Sequence, residues 1–113
     1  MKSGKKKVFL EFPRVTYFMS TLSKAINAEY REIVQRLELQ GHLSMPFGEK
    51  LKSENMFSIR IIHAGNVRVF YVYGKNDLIY GIYGYVKTTR AIPIAELKQA
   101  RKLARALKQM GLI

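Results

Sequence analysis

The segment Met56–Lys87 constrains the fold most. Its β-branched and aromatic residues fall into three runs separated by Gly and Asn. Such runs favour strands and such separators favour turns. The runs are Met56–His63, Asn66–Tyr73 and Asp77–Lys87. A two-residue turn at Ala64-Gly65 pairs Arg68 with Ile61 and mixes apolar with polar faces. A three-residue loop, His63-Ala64-Gly65, pairs Arg60 with Arg68 and Ile59 with Val69. Because a one-residue slip moves every side chain to the other face, the second register is expected. Gly65 then takes the position that wants a left-handed residue. A four-residue loop, Gly74-Lys75-Asn76-Asp77, pairs Tyr73 with Leu78, Val69 with Ile82 and Arg68 with Tyr83. One face thus collects Phe57, Ile59, Ile61, Val67, Val69, Leu78, Ile82 and Val86. The other collects Arg60, Arg68, Tyr83, Tyr85 and Lys87. Directly opposed like charges destabilise a sheet. The facing arginines therefore suggest an anion between them, unless the long side chains splay into water.

The flanking segments supply the layers. Lys7–Phe12 reads as a first strand ended by Pro13. Thr16 is expected to cap a short helix from Tyr17 to about Ser23, and Asn27 to cap a longer one. The longer helix carries Tyr30, Ile33, Val34 and Leu37 at helical spacing and ends at Gly41. Gln40–Asn55 is rich in turn residues and reads as a loop. Pro93 opens a last helix. Ile94, Leu97, Ala100, Ala104 and Leu107 form its apolar stripe, Lys98, Arg101, Lys102, Arg105 and Lys108 cover its other side, and Gly111 ends it. The expectation is one α+β domain over residues 1–113, with a flexible basic N-terminus at 1–7. A helical hairpin and a C-terminal helix accompany a small, mostly antiparallel, twisted sheet. The helices are expected to cover one sheet face, leaving the Arg–Tyr–Lys face open and concave.

Charge narrows the chemistry. The chain of 113 residues carries 20 basic and 8 acidic side chains, a formal net charge of +12. An excess of this size points to a polyanion: nucleic acid, an acidic partner or a membrane surface. There is no cysteine, which excludes disulfide and thiolate chemistry. No run approaches the ~20 apolar residues of a membrane span. Val8-Phe9-Leu10 is too short for a signal sequence and Glu11 interrupts it. A soluble cytoplasmic protein is expected. His42 and His63 are isolated and the carboxylates scattered, so no metal site is expected. Gly81-Ile82-Tyr83-Gly84 lies within a strand and makes no phosphate loop. No cofactor is implied.

Arg60, Arg68, Lys87, Tyr83 and Tyr85 remain, with Lys50 and Lys52 nearby in sequence. Arginine binds phosphate bidentately and stabilises developing negative charge. Tyrosine stacks on bases or transfers protons. The set suffices for RNA cleavage without a metal, the ribose 2′-OH attacking its own phosphate. It suffices equally for binding RNA without cutting it.

Several stretches, in order, resemble the toxins of the RelE/ParE superfamily, above all the phage-derived HigB-like branch. They are Pro46–Leu51, Met56–Arg60, Val67–Val72, Tyr83–Thr89 and Ile92–Ala100. That branch shows a Leu-Tyr-Glu-Leu-Arg strand, an Arg-Val-Phe-Tyr strand, a His-Gly-Phe-x-Lys-Lys-Thr strand end and a Thr-Pro-x-x-Glu-x-x-x-Ala helix start. The resemblance covers roughly Tyr17 to Leu107. It implies a microbial RNase-like, RelE-like fold. It implies a toxin of a type II toxin–antitoxin pair that cleaves mRNA on the ribosome without a metal and is silenced by a cognate antitoxin. Arg60 and Arg68 match the arginines of the first two motifs, Tyr85 the aromatic and Lys87 the lysine of the third, and Lys50 the preceding loop lysine. Three positions depart: Ser58 stands for the motif glutamate, Tyr83 for the histidine and Thr88 for the second lysine. The expected site is Arg60 and Arg68 on the scissile phosphate, with Tyr83, Tyr85 or Lys87 for stacking or proton transfer. Lys50, Lys52 and Arg90 would hold flanking RNA.

Two other readings stay open. A ParE-like inhibitor of DNA gyrase would share the fold and act by protein contact. A non-catalytic RNA-binding module would use the same cations and rings for salt-sensitive affinity.

Overall fold

The three expected strands form the centre of a five-stranded sheet in the computed structural model, which describes residues 4–51 and 55–113. The elements run β1 (Val8–Glu11), α1 (Pro13–Ser20), α2 (Lys24–Gln40), β2 (Gly48–Lys50), β3 (Phe57–Ile61), β4 (Val67–Tyr73), β5 (Leu78–Val86) and α3 (Ile94–Gln109). The strand order is β1-β5-β4-β3-β2. β1 runs parallel to β5 and the other pairs are antiparallel. This α+β architecture is the one expected and is compatible with a RelE-like fold. No helix among the described residues is long and apolar enough to cross a membrane.

The β3–β4 register is the expected one, with Arg60 opposite Arg68 and Ile59 opposite Val69. What fixes the connecting loop differs from expectation. Gly65 is not left-handed. It is small because α2 passes close by: a Cβ there would lie 2.9 Å from Ile26 Cδ1. The loop is tied to the same helix by Glu29, whose carboxylate accepts the backbone N–H of Ile62 at 2.9 Å, His63 at 3.1 Å and Ala64 at 2.7 Å. Burial pulls the Glu29 pKa up, but these three bonds and the nearby His63 outweigh it. Its net pKa falls below the ordinary 4.5.

The β4–β5 register departs from expectation. Tyr73 pairs with Ile79 rather than Leu78, and Arg68 with Tyr85 rather than Tyr83. Two causes add up. Asn76 and Asp77 both adopt positive φ (58° and 60°), which lengthens the turn. A bulge between Phe70 and Tyr71 then inserts one further residue into β5. Leu78 and Ile82 therefore leave the face of Val69, and Val86 is exposed.

Consequently the sheet has two cores. On one face Ile59, Ile61, Val67, Val69, Tyr71 and Ile79 pack with Val15 and Met19 of α1 and Tyr30, Ile33 and Leu37 of α2. On the other Phe70, Val72, Tyr80, Ile82 and Tyr85 pack with Ala100 and Leu107 of α3. The helices thus cover both faces, and the expected open, concave face is corrected. β4 reads as a near-continuous apolar run because it is buried on both sides.

Helix ends and the chain start also differ in detail. α1 begins at Pro13 after Phe12, not behind a Thr16 cap. Ser23, not Asn27, caps α2, its hydroxyl accepting from Ile26 N–H at 3.1 Å. Asn27 instead donates to the Met19 carbonyl at 2.9 Å and ties α1 to α2. The expected loop Gln40–Asn55 contains β2, which extends the sheet beyond β3. Ile94, placed on the apolar stripe of α3, is 72% exposed. Of the basic N-terminal stretch, residues 1–3 lie outside the described residues, while Lys6 and Lys7 donate their N–H to the Glu38 carbonyl at 2.9 and 3.2 Å. The Glu38 carboxylate also accepts Phe9 N–H at 2.9 Å.

Candidate nucleic-acid site

Cross-strand pairing brings Arg60, Arg68 and Tyr85 into one row, since Arg68 opposes Arg60 on one side and Tyr85 on the other. The three side chains share the sheet face that α3 covers, and Tyr85 belongs to the core packed against that helix. Arg68 is only 6% exposed and Tyr85 only 3%. Burial first, and the charge of Arg60 second, lower the Arg68 pKa, against the opposing influence of Tyr85 and Glu49. The guanidinium nevertheless keeps its proton at neutral pH.

Each arginine has its own support. Arg68 donates from Nη1 to Asn66 Oδ1 at 3.0 Å and to the Val67 carbonyl at 3.1 Å. Asn66 in turn donates from Nδ2 to the Lys87 carbonyl at 2.9 Å, and its own carbonyl accepts Lys87 N–H at 2.7 Å. Arg60 donates from Nη1 to the Pro46 carbonyl at 2.9 Å, and its backbone N–H goes to the Phe47 carbonyl at 2.9 Å. Its Nε stands 3.9 Å from Glu49 Oε1. Glu49 reaches this face because it pairs with Ser58 on β3.

Among the described residues, two buried side-chain polar atoms lack a hydrogen-bond partner. They are Arg60 Nε and the Tyr85 hydroxyl. Each such atom costs roughly 1–3 kcal/mol of desolvation. Both occur in this one row, where the sheet also sets two positive charges against each other. Chemically, the arrangement suits a ligand that accepts hydrogen bonds and carries negative charge, the character of a phosphodiester.

Tyr83 lies one step along the same face, its ring stacked with Phe70 at 6.5 Å. It donates to Glu96 Oε1 in the first turn of α3 at 2.7 Å. The Arg14 guanidinium lies 5.4 Å from its ring. Burial, then the Glu96 hydrogen bond and charge, push its pKa up to about 12, with Arg14 opposing. Burial likewise raises the Tyr85 pKa, which Arg68 pulls down. Both phenols are proton donors rather than acceptors at neutral pH.

The remaining expected residues stand further out. Lys87 Nζ donates to the Arg90 carbonyl at 2.7 Å, so Lys87 and Arg90 meet in the turn after β5, where Arg90 is exposed. Lys50 pairs with Phe57 and its ammonium lies 5.9 Å from that ring, on the face opposite the arginines. Lys52 lies outside the described residues. Sequence reasoning missed Glu49, Asn66 and Glu96. Asn66 was legible as the polar residue beside Arg68 at the loop exit, and Glu96 as the acid in the first turn of the helix that follows β5. Among the described residues no three His, Cys, Asp or Glu side chains are grouped to hold a metal ion.

The family model for phage-derived Gp49-like proteins matches residues 17–105, which include every residue of the arginine row. No curated protein matches the chain.

Proposed function

The chain belongs to the phage-derived Gp49-like protein family, within the RelE/ParE-like toxin superfamily, and from that premise we propose that it is a ribosome-dependent mRNA endonuclease of the HigB-like branch. The family is associated with RelE-type toxins of toxin–antitoxin systems and with toxin endoribonucleases. In this reading residues 1–113 form a single toxin domain whose partners are mRNA on the ribosome and a cognate antitoxin.

The observation that carries the reading is the coincidence of two unpartnered buried donors with two opposed arginines. The reaction they serve is transfer of the phosphodiester to the neighbouring 2′-oxygen. The 2′-oxygen bonds to phosphorus, the bond to the 5′-oxygen breaks, and a 2′,3′-cyclic phosphate and a 5′-hydroxyl result. The 2′-OH proton goes to a base and the 5′-oxygen receives a proton. Arg60 and Arg68 hold the phosphate and stabilise the charge that builds on its oxygens. Tyr85 hydroxyl donates to the same phosphate. Glu49, beside Arg60, is the carboxylate placed to take the 2′-OH proton. It compensates for Ser58, its cross-strand neighbour, where the family motif has glutamate. Tyr83, protonated and on the same face, offers a ring for stacking and a proton for the leaving oxygen. Lys87 and Arg90, in the turn after β5, hold flanking RNA, whereas Lys50 on the opposite sheet face is left out of this role and Lys52 lies outside the described residues.

The test is induced expression in a bacterial host, wild type beside Arg68→Ala, with mapping of new mRNA 5′ ends and a circular-dichroism check that the variant is folded. Growth arrest with ribosome-positioned cuts, both lost in the variant, is the expected result. Arrest without cuts, unchanged by the substitution, overturns the nuclease reading and favours a gyrase inhibitor.

A further inference from the structure

Away from the arginine row, α3 leaves a second feature on the same sheet face. Between one side of α3, the start of β3 and the end of β4 lies a cavity of about 380 Å³. Its floor is apolar: Met56, Val72, Ala104 and Ile113. Its rim carries Arg101, Arg105 and Lys108, and no Asp or Glu side chain is among its described lining residues. Val72 is four positions along β4 from Arg68, so the groove and the arginine row stand roughly 13 Å apart at ~3.3 Å per residue.

We propose that this groove docks an acidic peptide segment carrying one apolar anchor side chain, contributed by the protein partner. The volume suits one or two aliphatic side chains and falls at the low end of ligand pockets. Methionine at the floor adapts to the shape of an apolar guest. The cationic rim selects guests whose flanks are negative. RNA is the poorer fit. A base wants an open aromatic face, and the one ring at the groove, Tyr73, is packed edge-on against Phe57 and Tyr71 and bonded through its hydroxyl to the Gly41 carbonyl. The partner would be anchored beside the arginine row without replacing RNA in it, or would extend along β4 to cover it. The inference rests on the toxin–antitoxin reading for the protein that carries the segment, not on the RNA chemistry.

The test uses the purified full chain and two fluorescein-labelled peptides, Glu-Asp-Leu-Leu-Glu-Asp-Glu and its equally charged counterpart with Ser for both Leu. Anisotropy should show the leucine peptide binding at least tenfold tighter. Ala104→Trp, which fills the floor, and Arg105→Glu with Lys108→Glu, which alters only exposed groups, should each weaken it at least tenfold. Arg60→Ala should change it less than twofold. Equal affinity for the two peptides overturns the proposal. So does binding lost in Arg60→Ala but kept in the α3 variants. An RNA hexamer, and not the peptide, losing affinity on the Arg105 and Lys108 reversal makes the groove an RNA surface and overturns it too. Growth arrest on expression reads the toxin claim separately: arrest without peptide binding sinks the groove alone, and groove-dependent binding without arrest leaves the groove standing and sinks the toxin.

Discussion

Asn66 Oδ1 holds Arg68 Nη1 at 3.0 Å while the same amide donates to the Lys87 carbonyl at 2.9 Å. One side chain therefore positions the guanidinium and fastens the end of β5 to the start of β4. Asn66→Ala removes both bonds and frees Arg68 within a site where Arg60 repels it. The expected loss is about 1–2 kcal/mol of stability by denaturant titration, two hydrogen bonds being worth roughly 1 kcal/mol each. Cleavage should fall tenfold or more, and Asn66→Asp, which keeps the acceptor, should recover stability more than Ala does. A variant as active as the wild type would show that Arg68 needs no positioning.

Tyr85→Phe separates stability from activity. Its hydroxyl is buried without a partner, and replacing an unsatisfied polar group by an apolar one of the same shape is neutral or stabilising. Thermal unfolding should therefore be unchanged or shifted upward, by about 1 kcal/mol at most, while RNA cleavage drops at least tenfold. Full cleavage by Tyr85→Phe would remove the hydroxyl from the mechanism.

Glu29 predicts an acid sensitivity of the arginine hairpin. Its folded pKa is depressed below 4.5, so its contribution is present above that value and is lost as pH falls through the folded pKa. Glu29→Gln should destabilise the fold by about 1–2 kcal/mol at pH 7 through its three charge-assisted bonds to the loop. The gap between wild type and variant should close as the pH drops below 4.5. Hydrogen exchange at Ile62, His63 and Ala64 is the local readout. A gap independent of pH would mean that the carboxylate charge does not hold the loop.

Tyr83 should titrate near 12 and not near its ordinary 10. Glu96→Gln removes the charge that favours the protonated phenol and should bring the value down, as read by NMR of ring-labelled tyrosine. An unchanged titration would leave burial as the sole cause. Cleavage that follows Tyr83→Phe but not Glu96→Gln would assign the proton to the phenol alone.

The β3–β4 hairpin was legible because one register alone separates apolar from polar side chains, and that pattern carries Arg60 opposite Arg68 into view. The β4–β5 pairing was not. Its turn holds two consecutive left-handed residues and its ladder a bulge, and neither leaves a mark in the alternation of β5. That error placed Leu78 and Ile82 with the first core and hid the second. A second core is nonetheless signalled by Val67–Tyr73, which is too apolar for a strand with one wet face. Glu49 escaped notice for a different reason. A three-residue edge strand preceded by turn residues is too short to show a period, so nothing in the sequence announces that it reaches Arg60.

The parallel pairing of Val8 with Leu78 has a temporal meaning. The first strand to be synthesised waits for the last before it has a hydrogen-bonded neighbour, and closing so long a loop is an entropically costly, slow step. The α1–α2 hairpin and the β3–β4 hairpin can form from local contacts while the chain is still growing. The row of Arg60, Arg68 and Tyr85 is completed only when β5 arrives, and the groove only when α3 follows. Neither feature exists on the growing chain until most of these residues have been made. Strand order therefore sets when, in the course of folding, the arginine row and the groove come into being.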